Sequence, residues 1–311
     1  MFLQNLWTKL FAAKPFHQGY LPVADGHSVW FAEYGNPHGK PVLMTHGGPG
    51  GRCKVKHIKG FNLRKYRIIM FDQRGCGNSL PRGSLIHNTT DDILFDMERL
   101  LEHLKIKEKI ILRGGSWGST IALLFAEKHP EKIEKLLLSQ IFLADEMSKQ
   151  WEEEQCCLFY PDMMEQLRQP LARWQTISEY YLQELTSSDP VKQKKALETY
   201  GVFEAILGSL SPHWEKYETV NEKELNSMRI YAHYSAGHFF LKNKQIMHQC
   251  KKIKDIPTLI IHNRLDMLCP LQGAYLLAKE LRNAKLVIVP ERGHFGKLLH
   301  KTLIKEIKAF L

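Results

Sequence analysis

Apolar and polar positions alternate near the start of the chain. Residues 20–24 and 28–34 read as two strands, and Asp25-Gly26 between them tolerates the positive φ of a hairpin turn. Further on the alternation fades. Residues 41–45, 67–71, 109–113 and 135–139 are short apolar runs, the pattern of parallel strands covered on both faces. Helical spacing appears between them: Thr89 or Thr90 can cap a helix that places Ile93, Leu94, Met97, Leu100, Leu101 and Leu104 on one side. Alternating strands and helices predict an α/β fold with a mostly parallel, doubly wound sheet. The pattern stops after about Phe142. Residues 143–250 are helical in character and broken at Pro161, Pro170, Pro190 and Pro212. It resumes with a strand at 257–262, a helix at 274–281, a strand at 286–289 and a last helix at 298–311. The expected organisation is one α/β domain, residues 1–142 and 251–311, carrying a helical cap domain at 143–250. Insertion through surface connections costs little.

Composition narrows the class. In 311 residues, 44% hydrophobic and 24% charged positions suit a soluble globular protein and exclude a disordered one. No apolar run approaches the roughly 18 residues of a membrane span. Lys and Arg exceed Asp and Glu by 43 to 33, a net charge of +10. One basic cluster is Arg52, Lys54, Lys56, Lys59, Arg64, Lys65 and Arg67, and a second occupies 242–254. Neither is interleaved with stacking aromatics and no nucleic-acid-binding signature accompanies them, so both read as solvated surface and nucleic acid is not an expected partner. Six cysteines without a C-x-x-C pair read as free thiols in a reducing compartment, hence a cytoplasmic protein. His233, His238 and His248 lack spaced carboxylate or cysteine neighbours, and no metal or cofactor is expected. Leu3, Leu6, Trp7, Leu10 and Phe11 follow helical spacing. The expectation there is a short amphipathic helix docked on the domain, with membrane-surface contact through residues 2–11 as the alternative.

Three strand-end segments carry chemistry. Gly114-Gly115-Ser116-Trp117-Gly118 is a G-x-S-x-G sequence between a predicted strand and a predicted helix, the setting of a nucleophile elbow. A serine hydroxyl needs a base to take its proton. Asp266 and His294 each follow a later predicted strand and complete the chain order serine, acid, histidine. Asp72 also follows a strand but precedes the serine. Thr45-His46-Gly47-Gly48-Pro49-Gly50-Gly51 follows a strand too, and suits a loop that lends a backbone N–H to an oxyanion hole. Gly48 is the preferred donor there, Gly47 the second choice, and the N–H of Trp117 the other donor.

Together, His46-Gly-Gly-Pro-Gly-Gly51, Asp72-Gln-Arg-Gly-Cys-Gly-Asn-Ser79 and Gly114-Gly-Ser-Trp-Gly-Ser-Thr120 resemble the proline iminopeptidases, serine peptidases of the α/β-hydrolase fold. The resemblance extends to Asp266-Met-Leu-Cys-Pro270 and Gly293-His294 and is thinner in the cap. It implies attack by Ser116 on the carbonyl of an N-terminal proline of a peptide or small amide, through an acyl-enzyme and without a cofactor. It also implies cap carboxylates that receive the substrate amine. Glu204, in Tyr200-Gly-Val-Phe203-Glu204, matches one of them; Tyr231, in Met228-Arg-Ile-Tyr-Ala-His-Tyr234, stands where the family has the second. Phe142 matches an aromatic of the proline pocket, whereas Glu152 and Glu153 replace aromatics after Trp151. Loss of one charge-assisted hydrogen bond, about 1.5–3 kcal/mol, predicts weakened or broadened proline selectivity. An esterase or amidase of other specificity, or a non-catalytic binding protein, would share the fold.

Overall fold

The computed structural model describes residues 14–210 and 221–311. The expected N-terminal amphipathic segment and the break at Pro212 lie outside the described residues. Strands β1 (His17–Pro22) and β2 (Ser28–Gly35) form the predicted hairpin, turning through Asp25 and Gly26 at φ 62° and 76°. Then follow β3 (Lys40–Thr45), β4 (Tyr66–Phe71), β5 (Ile110–Ser116), β6 (Ile133–Ile141), β7 (Thr258–Leu265) and β8 (Ala284–Arg292). The eight strands make one sheet in the order β1-β2-β4-β3-β5-β6-β7-β8. β1 and β2 pair antiparallel, β2 with β4 likewise, and the rest is parallel.

Helix α1 (Thr90–His103) starts where the sequence indicates: Thr89 accepts from the Asp92 N–H, and Asp92 reciprocates to complete a capping box. Its apolar side, Ile93 to Leu101, is buried, so truncating any of those leucines to Ala should cost roughly 2–5 kcal/mol. Helix α2 (Trp117–Lys128) is apolar nearly all round because it is buried nearly all round, pressed on β5 and β6.

Between β6 and β7 the chain is helical: α3 (Glu146–Glu153), α4 (Pro161–Arg168), α5 (Ile177–Thr186), α6 (Pro190–Ala196), α7 (Val202–Ser209), α8 (Glu222–Ala236) and α9 (Gln245–Gln249). Pro161 and Pro190 open α4 and α6, where the missing N–H costs nothing. These helices own a separate apolar cluster built on Met163, Leu167, Tyr181, Leu197, Tyr200 and Phe203. Trp151 joins its edge, whereas Trp174 is 84% exposed. Helices α10 (Leu271–Glu280) and α11 (Lys297–Phe310) complete the two faces of the sheet. Among the described residues no helix is long and apolar enough to cross a membrane.

Candidate active site

Ser116 ends β5 and caps α2 with φ 56° and ψ −135°, a conformation that only a surrounding structure can hold in a residue with a side chain. The glycines around it answer a steric demand. A methyl group on Gly114 would lie 2.0 Å from the Gly118 carbonyl oxygen, and one on Gly118 would lie 2.4 Å from that of Thr45. The Thr45 hydroxyl closes the same junction by donating to the Gly118 carbonyl at 2.7 Å.

The loop after β3 lies against the serine: a methyl on Gly47 would sit 3.2 Å from the Ser116 Cβ. A polar relay fixes this loop. The Gln73 N–H donates to His46 Nε2 at 2.9 Å, so His46 carries its proton on Nδ1 and donates it to the Gly47 carbonyl at 2.8 Å. Burial holds the His46 pKa below the ordinary imidazole value, which keeps the ring neutral. The Gln73 side chain bonds the His46 carbonyl and receives the Trp117 indole N–H, each at 2.9 Å. Trp117 therefore spends its side chain on the core. Asp72 is occupied structurally, accepting the N–H groups of Cys53 and Asn78 at 2.8 and 2.9 Å.

Asp266 and His294 lie just past β7 and β8, and the sheet brings them together: His294 Nδ1 is 2.8 Å from Asp266 Oδ2. The other carboxylate oxygen accepts the N–H groups of Leu268 and Cys269 at 3.1 and 2.9 Å. Burial alone would raise the Asp266 pKa, but the His294 charge and hydrogen bond, His262 and the Cys269 N–H outweigh it and hold it low. Asp266 is thus ionised, and His294 donates from Nδ1. The His294 carbonyl accepts from Gln140 at 2.8 Å, and its N–H donates to Gly208 at the end of α7 at 2.7 Å.

Ser116 and His294 line one cavity of about 540 Å³ with Gly48, Phe142, Glu152, Glu204 and Tyr231. Phe142 also stacks edge-on against Phe239, at 5.0 Å between centroids. The site residue that sequence reasoning missed is Glu152. Its Oε1 accepts the Tyr231 hydroxyl at 2.6 Å, with the Tyr200 hydroxyl at 3.5 Å. Burial, reinforced by the charge of Glu204, pushes the Glu152 pKa up to about 8. Burial raises Glu204 too, with Tyr231 and the His294 charge pulling it part of the way back. Tyr231 thus stands between two carboxylates, Glu152 from α3 and Glu204 from α7. A signal was present in the sequence, an acid in place of an aromatic after Trp151, but its partner lies 79 residues away.

The basic cluster is exposed as expected except at Arg67, and part of it borders a cavity. Arg67 pairs with buried Glu33, whereas Arg52, Lys54, Lys56 and Lys59 line a second cavity of about 810 Å³ that also reaches Ser116, Gly47 and Gly48.

Comparison with known proteins agrees with this geometry. A family model described as alpha/beta hydrolase fold matches residues 40–301. The chain is 39% identical over 288 residues to a proline iminopeptidase of Xanthomonas citri, covering 90% of this chain and 91% of that one. It is 34% identical over 308 residues to a proline iminopeptidase of Neisseria gonorrhoeae, covering 96% and 97%. Among solved structures, a proline iminopeptidase-related protein from Thermus thermophilus superposes with a TM-score of 0.61 at 21% identity, over 95% of this chain and 96% of that one. A likeness that spans both partners nearly end to end, over a site with these motifs in place, makes this chain a member of the proline iminopeptidase family of α/β hydrolases.

Proposed function

We propose that the chain is a serine aminopeptidase that releases N-terminal proline from peptides. The observation that carries this reading is the cavity in which Glu152, Tyr231 and Glu204 converge beside Ser116 and His294. A free ammonium rewards such a pocket and an acylated amine does not. Phe142 offers an apolar wall for the pyrrolidine ring, and the helices at 143–250 act as the cap domain that carries the acids.

In this mechanism Asp266 fixes His294 as the Nδ1–H tautomer, leaving Nε2 to take the Ser116 proton. The alkoxide adds to the prolyl carbonyl, and the N–H groups of Trp117 and Gly48, with Gly47 beside them, receive the oxyanion. His294 returns the proton to the departing amine, then activates a water that cleaves the prolyl ester and frees Ser116. All six thiols are unpaired, which fits a cytoplasmic setting.

The test is hydrolysis of prolyl 4-nitroanilide beside its N-acetylated form and an acetyl-capped 4-nitrophenyl ester. A free-amine anilide cleaved at least 100-fold better than the blocked one supports the reading. Equal rates, or activity on the ester alone, replace it with an esterase or amidase.

A further inference from the structure

Ser116 stands between two cavities, one lined by carboxyl groups and the other by basic side chains. The cap pocket is acidic, through Glu152 and Glu204. The second cavity, about 810 Å³, runs from the Gly47-Gly48 loop to α11 and the start of α8. Among the described residues, seven side-chain cations line it against two carboxylates, Glu222 and Glu224. Gly50 packs so closely on α8 that a methyl there would lie 2.3 Å from the Ser227 carbonyl oxygen, which sets Lys223 at the rim.

Two features separate this cleft from an ordinary lysine-rich surface. The first is Arg113, on β5 just upstream of the nucleophile. It is half-buried and donates to the His57 carbonyl at 2.9 Å, and no carboxylate lies within ion-pair distance of it among the described residues. Burial lowers its pKa to about 10, with only the Cys53 thiol acting in the opposite direction. The second is mutual repulsion. Lys54 is held below its ordinary pKa by burial and by Lys56, Arg52 and Lys223, and burial with Arg113, Lys56 and Lys54 drives His57 down to about 3. A concave wall of unneutralised cations focuses a positive potential on what enters it.

We infer that this cleft receives the leaving part of the substrate and selects peptides with a carboxylate shortly after the scissile bond. The inference rests on the aminopeptidase reading for its geometry: the acyl residue fills the acidic pocket, so the departing chain exits on the basic side. The carboxylate comes from the C-terminus of a short peptide or from Asp or Glu side chains. The favoured substrate is a short or acidic peptide, positive at its first residue and negative a few residues on.

The experiment measures binding and turnover separately. Calorimetric titration with Gly-Gly-Gly acid, Gly-Gly-Gly amide and Gly-Asp-Gly amide reads the cleft without any proline chemistry. Expected is at least about tenfold tighter binding of either anionic peptide than of the neutral amide at 20 mM salt, falling several-fold at 300 mM. A preference for the acid alone assigns the site to a C-terminus, and one shared with the aspartyl amide assigns it to carboxylates generally. The Lys54→Glu/Lys56→Glu variant, changed at two exposed positions, should lose the preference and keep its rate on prolyl 4-nitroanilide within about twofold. Equal binding of all three peptides overturns the inference, even where prolyl anilide is cleaved. Preserved anionic preference with no prolyl cleavage overturns the aminopeptidase reading and leaves the cleft standing.

Discussion

The His294 N–H donates to the carbonyl of Gly208 at 2.7 Å, so the loop that holds the imidazole hangs from the end of the helix that carries Glu204. In the proposed mechanism, amine recognition and proton transfer thus share one connection. Gly293 is the joint: its φ is 80°, and a methyl there would lie 3.1 Å from the Gly208 oxygen. Gly293→Ala should cost about 1–3 kcal/mol of stability and lower kcat more than it raises KM. Urea unfolding beside steady-state kinetics decides it. Unchanged kcat would show that the histidine is positioned without Gly208.

Asp266 is ionised and fully committed, with one oxygen on His294 and the other on two backbone N–H groups. Asp266→Asn can keep the contacts yet favour the wrong tautomer. A fall in kcat of about 10³–10⁴ is expected with the fold intact by circular dichroism. Ser116→Ala should abolish labelling by a fluorophosphonate. Labelling that survives would move the nucleophile elsewhere.

Glu152 gives the reaction a pH signature. Raised by burial and by Glu204 to about 8, it is protonated in the empty pocket at neutral pH, and the charge that meets an ammonium appears as pH rises. KM for a prolyl amide should therefore fall by up to about tenfold from pH 6 to 8. Glu152→Gln should flatten that limb and lower kcat/KM about 10–100-fold, the worth of one charge-assisted hydrogen bond. Tyr231→Glu should gain nothing, since it adds a third acid beside two already raised. A gain on proline substrates would mean that Glu152 does not stand in for the family's glutamate.

The sheet and the three strand-end motifs were legible in the sequence because each depends on neighbours within a few residues. Apolar runs marked β3 to β8, the glycines around Ser116 marked a tight turn, and chain order ranked Asp266 above Asp72. Glu152 and the basic cleft were not legible in this way. Glu152 acquires its meaning from Tyr231 on α8, and Lys54, in the loop after β3, from Lys223 on the same helix. Such pairings arise from packing between distant elements, to which periodicity is blind. The departure at 231 was visible, but the carboxylate that reaches Tyr231 from another helix was not.

Away from the site, Glu127 on α2 is 3% exposed and neither carboxylate oxygen has a hydrogen-bond partner. Burial lifts its pKa to about 8, only partly countered by Lys252. Between about 4.5 and 8 the folded chain holds this proton and the unfolded chain gives it up, so this group's contribution to stability declines as pH rises through that window. Glu127→Gln should remove the decline and stabilise the protein by roughly 2–4 kcal/mol at pH 8, with little change at pH 4.5. Chemical denaturation at the two pH values is the check, and equal differences at both would contradict it.

Gly114 faces the oxygen of Gly118, and Gly118 faces that of Thr45, so neither position can accept a side chain even if the other changes. A saturation library at these two codons should return glycine alone, whether survivors are chosen for peptide cleavage or merely for soluble expression. Descendants of this lineage that abandon hydrolysis would then keep both glycines long after the serine between them has drifted, and the pair would outlast the chemistry it frames.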